Sequence, residues 1–216
     1  MRTPEIDRRL KNSRSIAYSL YFLGELALIQ GDMAGAQRQH QEALELRTQL
    51  GEKGTAAESR AALAVIALEQ KRAADAESLA REAAIVFEEQ RAANNEASAR
   101  STMALAMLAQ GKRDMARREI DRARALLRNT QRALARMWVS IAAAQVDGLS
   151  SPAAAIRELE SIRSEAVKRA IPRYEFEARR ALAGIESPRS SNGAARLASL
   201  QKDARERGFL LYNSSR

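Results

Sequence analysis

Few residues of this 216-residue chain are of types and spacings that do chemistry. There is one histidine, His40, and no cysteine, which excludes disulfides, thiolate nucleophiles and thiolate metal sites and starves histidine-based metal chemistry. His40 lies between Ala36 and Ala43 with no partner motif nearby, so packing of its ring against a neighbouring helix is the simpler role. The carboxylates Glu88, Glu89, Glu175 and Glu177 stand among arginines at salt-bridge spacing, the pattern of a solvated helix face. The ten glycines are scattered rather than gathered into a phosphate-binding loop. Met103, Met107 and Met115 follow the spacing of core residues. No catalytic, cofactor-binding or metal-binding residue is expected.

Charge is the second chemical signal. The formal charge is +9, and 30 of the 36 basic residues are arginine. From Lys112 to Arg136 nine basic residues face Asp114, Glu119 and Asp121, a net of +6 that supplies two thirds of the excess. Arg117, Arg124 and Arg128 share one helical face, with Arg132 and Arg136 just beyond a turn. Such a stripe offers phosphate contacts whose strength falls steeply with salt. Aromatic stacking groups are absent nearby except Trp138, and no helix-turn-helix or zinc pattern accompanies it, so nucleic acid is the weaker alternative.

These residues are positioned by a repeat. Shifting the sequence by 40 superposes Leu23, Leu63 and Met103; Gly24, Ala64 and Ala104; Leu28, Leu68 and Leu108; Ala36, Ala76 and Ala116; and Ala43, Ala83 and Ala123. A fixed period of this length marks a solenoid, whose units bury their apolar faces by stacking on their neighbours. Apolar residues make up 45% of the chain but aromatics only 4%. Alanine and leucine dominate, which favours helix and leaves little for strands.

The expected fold is therefore all-α, a single array over 1–216. Unit 1 spans 12–52, unit 2 53–92, unit 3 93–129, unit 4 130–170, and a degenerate fifth unit or cap 171–210, followed by a tail at 211–216. Asn12 or Ser13 is read as the cap of the first helix, Gly31-Asp32, Lys71-Arg72 and Gly111-Lys112 as turns, Ser151-Pro152 as a helix start, and 187–193 as a break. Ile6 falls in register with Leu46, Val86 and Leu126. Residues 1–11 are accordingly read as the remnant of a preceding helix, and the chain as the carboxyl-terminal part of a longer array.

Arg2, Arg8, Arg9, Lys11 and Arg14 precede the apolar stretch 16–23, as in a signal peptide. Glu25 interrupts that stretch and its residues already have places in the repeat, so a cytoplasmic location is expected. No segment reaches the ~18 consecutive apolar residues of a membrane span.

Leu23-Gly24, Ala27, Gly31-Asp32, Ala36 and Ala43 resemble the tetratricopeptide repeat in its long-period form, found in kinesin light chains and bacterial signalling proteins. The large residue three before the Leu-Gly position departs from the expected aromatic at Leu20, Arg60, Arg100 and Arg179, whereas Trp138 keeps it. The resemblance implies a right-handed α-solenoid of antiparallel hairpins whose first helices line a concave groove. On that register the groove carries Tyr18, Tyr21, Glu25, Leu28, Glu58, Val65, Leu68, Ser98, Ser101, Leu105 and Leu108, suited to an extended or helical peptide. The implied function is a protein-interaction scaffold of a bacterial signalling or regulatory protein. An apolar concavity rarely stays empty, so a further helix or a missing domain is the competing occupant.

Overall fold

A computed structural model describes residues 4–130, 132–186 and 191–213, with side chains described from Asn12 onward. Its helices are α1 Pro4–Ile29, α2 Met33–Gln49, α3 Lys53–Glu69, α4 Ala73–Glu89, α5 Ala93–Ala109, α6 Arg113–Leu126, α7 Ala133–Asp147, α8 Pro152–Lys168, α9 Pro172–Ile185 and α10 Ser191–Glu206. A 3-10 turn follows at Leu210–Asn213. No strand occurs among the described residues, and consecutive helices pack on one another. No described helix is long and apolar enough to cross a membrane.

The 40-residue period resolves into two steps of 20. Helices α2 to α5 are each 17 residues long. The residue at 31, 51, 71, 91 and 111 has positive φ, as Gly31, Gly51, Lys71, Arg91 and Gly111. Each turn closes in the same way: the amide of Asp32 donates to the carbonyl of Ala27, Glu52 to Arg47, Arg72 to Ala67, Ala92 to Phe87 and Lys112 to Met107, all at 2.8–2.9 Å. This pattern satisfies the carbonyls that a helix end leaves open and doubles the chain back at once. The interior it creates is lined by small side chains; Ala36, Ala43, Ala76, Ala80, Ala83, Ala97 and Ala116 are all fully buried.

Three expectations are corrected. Helix α1 does not start at Asn12 or Ser13 but runs unbroken from Pro4, so residues 4–11 belong to it and are no separate preceding helix. No glycine or proline interrupts that stretch, and proline is tolerated in a first turn. Residues 210–213 are no loose tail. Tyr212 and Leu211 are buried in a cluster with Ala27 and Leu28 of α1, Leu63 and Ile66 of α3, and Phe176, Leu200 and Ala204. Third, the concave groove does not run uncovered from unit to unit: α9 returns to the first two units, where Arg173 pairs with Glu25 of α1 and Arg180 with Glu69 of α3, 148 and 111 residues away. The expected break at 187–193 falls mostly outside the described residues.

Candidate binding cleft

The first helix of each pair faces inward, and with α9 returned to α1 and α3 these helices surround a cleft of about 290 Å³. Its walls carry Tyr21 and Glu25 from α1, Glu58 and Val65 from α3, Asn95, Ser98 and Thr102 from α5, Trp138 from α7, and Arg173 and Tyr174 from α9. Five of the expected groove residues, Tyr21, Glu25, Glu58, Val65 and Ser98, therefore converge here.

The other six do not. Leu28 is enclosed by the returning end of the chain, and Leu68, Leu105 and Leu108 pack in the core between units two, three and four. Ser101 is fully buried and spends its hydroxyl on the carbonyl of Ala97, 2.9 Å away. Tyr18 is exposed, tilted against Phe22 and set beside Arg14, Glu52 and Thr55 rather than at the cleft. The long groove is thus replaced by a short cleft open to solvent. These leucines lie on α1, α3 and α5, and packing between units or against the end of the chain takes them into the core.

Side chains outside the expected groove set complete the site. Trp138 donates its indole N–H to the carbonyl of Ser98 at 3.3 Å. That bond fixes the ring between α5 and α7. Asn95 reaches Glu58 at 3.4 Å, and Arg47 of α2 lies 3.8 Å from the same carboxylate. Arg47 also donates to the Ser59 hydroxyl at 2.9 Å and to the Thr55 carbonyl at 2.7 Å while covering the Tyr21 ring, 4.7 Å from its centroid. A buried guanidinium so engaged holds Tyr21 in place.

At the floor, Glu25 accepts from Arg173 at 2.5 Å, and its other oxygen lies 3.5 Å from His40 Nε2. Burial disfavours the Glu25 charge, but the contact with His40 and the charge of Arg173 outweigh it and hold the carboxyl down at about 2. Burial likewise disfavours the Arg173 charge, and Glu25 more than compensates, so the guanidinium stays protonated. Tyr21 and Tyr174 are pushed up, chiefly by burial, and remain neutral phenols. His40 sits edge-on to Tyr21, with ring centroids 5.1 Å apart; its Nδ1 is buried without a hydrogen-bond partner among the described residues, and its Nε2 has only the long approach to Glu25. It fits only because position 24 is glycine; a Cβ there would lie 2.7 Å from the imidazole. The packing role read from the sequence is the one observed.

No group of three or more potential metal ligands occurs among the described residues. In the arginine stripe Arg124 pairs with Asp147 at 3.0 Å, while Arg117 of α6, Arg128 and Arg132 between the helices and Arg136 of α7 are exposed. They do not border the cleft. Comparison with protein-family models and with curated proteins finds no match for this chain.

Proposed function

We propose that the chain is a non-catalytic interaction module, a right-handed α-solenoid of tetratricopeptide type, and that a protein partner inserts a side chain or tight turn into the inner cleft. The observation that carries this reading is the convergence on one cavity of aromatic rings, a carboxylate, amide and hydroxyl groups from α1, α3, α5, α7 and α9. A few convergent polar groups in an aromatic-walled concavity are what recognition requires. At about 290 Å³ the space suits one or two residues rather than a long peptide. Hydrogen bonds to Asn95, Ser98 and Thr102 would orient the inserted group, and Tyr21 and Trp138 would cover it. The chain's only tryptophan lies in this wall, which supplies the test. Peptides selected from a displayed library against the full chain should shift Trp138 emission, and Tyr21→Ala should weaken them about tenfold or more, the loss of one aromatic contact. Selected peptides that leave the emission unchanged and bind the Tyr21→Ala chain equally well would refute the cleft as the site.

A further inference from the structure

The polar groups of the cleft turn most of their hydrogens inward. The Ser98 hydroxyl donates to the carbonyl of Asn94 at 3.0 Å, and the Thr102 hydroxyl to that of Ser98 at 3.2 Å. The indole N–H of Trp138 goes to the same Ser98 carbonyl, and Asn95 directs an amide hydrogen to Glu58. What these groups still offer to an incoming ligand is therefore lone pairs, on two hydroxyl oxygens, the Asn95 carbonyl and the Glu58 carboxylate. The wall donors that remain beside them are neutral: the second amide hydrogen of Asn95 and the phenols of Tyr21 and Tyr174.

Charge points the same way. Of the two carboxylates in the wall, Glu25 is matched by Arg173, the wall's guanidinium. Glu58 is matched less closely. The guanidinium that approaches it, Arg47, stands 3.8 Å away and already gives its Nη1 to the Thr55 carbonyl and the Ser59 hydroxyl. The Glu58 side chain is 38% exposed and lines the cleft, whereas that of Arg47 is 5% exposed and lies behind it. An entering group therefore meets the carboxylate before the guanidinium. After burial and Glu25, Glu58 is also what keeps the Tyr21 phenol protonated, which sets its charge beside that ring.

Aromatic rings complete the pattern, with Tyr21, Trp138 and Tyr174 in walls supplied by α1, α7 and α9. The face of such a ring is electron-rich and attracts a cation, tryptophan most strongly. Lone pairs, a carboxylate and ring faces together suit a group that is positive and only donates. They disfavour a carboxylate or phosphate, although the chain's net charge of +9 would by itself attract one. Resting on the reading of the cleft as the partner site, we propose that the group inserted there is an arginine side chain of the partner protein. A guanidinium has five N–H donors and no acceptor, lies flat on aromatic rings and meets a carboxylate through two parallel bonds. Glu58 takes that pair of bonds, Asn95, Ser98 and Thr102 accept from the remaining N–H groups, and Tyr21 and Trp138 cover the plane. Lysine brings a compact, strongly hydrated charge that would use the ring faces less well. The cleft, about 290 Å³, has room for one such side chain.

N-acetyl-arginine methylamide is the direct probe, and its citrulline counterpart is a neutral control of nearly the same shape. Emission of Trp138 in the full chain should saturate with the arginine compound at a constant of about 1–10 mM, the range for so small a ligand. It should not saturate with the citrulline compound. Glu58→Gln keeps the size of the side chain and should weaken the arginine compound about tenfold or more, the loss of a charged acceptor, with helicity unchanged. Equal responses to the two compounds, or equal affinity of the arginine compound for the wild type and Glu58→Gln, would overturn the proposal. Library-selected peptides that shift Trp138 emission and require Tyr21 would then leave the cleft standing as a site for a neutral or acidic group. Peptides that do neither would remove the cleft and the arginine together.

Discussion

Helices α2 to α5 and the segment from α9 to the final turn bury comparable side-chain types of opposite size. In the first region alanine fills most of the contact positions, each turn repeats the last, and each helix packs chiefly on its neighbours in the chain. In the second, Phe176 and Tyr212 stack with centroids 5.3 Å apart, Arg180 lies 4.9 Å from the Tyr212 ring, and Tyr212 donates its hydroxyl to Glu177 at 3.1 Å. These groups contact α1 and α3, more than 100 residues away. Nearest-neighbour stacking spreads stability over many small equal contributions. Closure concentrates it in a few large side chains, and the first region should tolerate point changes that the second does not.

The largest expected effect is at Tyr212. Replacing a fully buried aromatic residue by alanine costs about 3–5 kcal/mol, and here it also removes the hydroxyl bond to Glu177 and the ring against which Arg180 lies. Tyr212→Ala should lower the urea midpoint accordingly. Hydrogen exchange should accelerate first in α9, α10 and the facing turns of α1 and α3, while α4 and α5 keep their protection. Acceleration spread evenly over all helices would erase the distinction between the two regions.

Acid should open the same seam. Glu25 ionises at about 2 in the folded chain against an ordinary value of 4.5. A lowered folded value means that the stabilisation is present above 4.5 and is lost as pH falls through the interval to about 2. The full contribution is up to about 3 kcal/mol, from 1.36 kcal/mol per pH unit. Stability measured from pH 6 to pH 2.5 should fall more steeply in the wild type than in Glu25→Gln, which has no carboxylate to protonate there. Parallel pH profiles would show that Arg173 and His40 do not hold the Glu25 charge.

The difference between the two regions is also the difference between what the sequence discloses and what it does not. The helices, the turns at Gly31, Lys71 and Gly111, and the inward position of Tyr21, Glu25, Glu58, Val65 and Ser98 all follow from a local period, because register fixes which side of a helix faces in. Closure leaves no such trace. Arg173 is an ordinary first-turn arginine after Pro172, and Tyr212 follows Gly208 at a point where the repeat has faded. Nothing in their neighbours tells that they meet α1. For the same reason Leu28 reads as groove wall although the carboxyl-terminal turn covers it.

Two glycines sharpen the contrast at smaller amplitude. A methyl group at Gly24 would meet the buried His40 ring at 2.7 Å, whereas one at Gly184 in α9 meets nothing within 4 Å. Gly24→Ala gains helix propensity but must displace a ring packed against Tyr21, for a net loss of about 1–2 kcal/mol. Gly184→Ala has only the gain, about 0.5–1 kcal/mol. Thermal unfolding of the two variants should move in opposite directions. Equal shifts would mean that His40 has room to yield and that the first unit is packed less tightly than its geometry implies.

The smallest effect tests the regular region on its own terms. Its turns demand a left-handed residue every 20 positions, and Gly31, Gly51 and Gly111 supply it without strain, but Lys71 and Arg91 hold φ of 62° and 54° with a Cβ in place. That conformation costs a side-chain-bearing residue about 1 kcal/mol. Lys71 is exposed, so Lys71→Gly removes strain without opening a cavity, offset in part by the greater freedom of glycine in the unfolded chain. A net gain of about 0.5 kcal/mol is expected, a rise of roughly 1–2 °C for a chain of this size, and Gly51→Ala should lose about as much or more. The pair of changes lies at equivalent points one step apart, with no tertiary contact to a methyl at Gly51, so their opposite signs isolate the backbone demand of the turn. Were Lys71→Gly destabilising instead, the 20-residue step would depend on the lysine side chain rather than on backbone geometry, and the equivalence of the turns would fail.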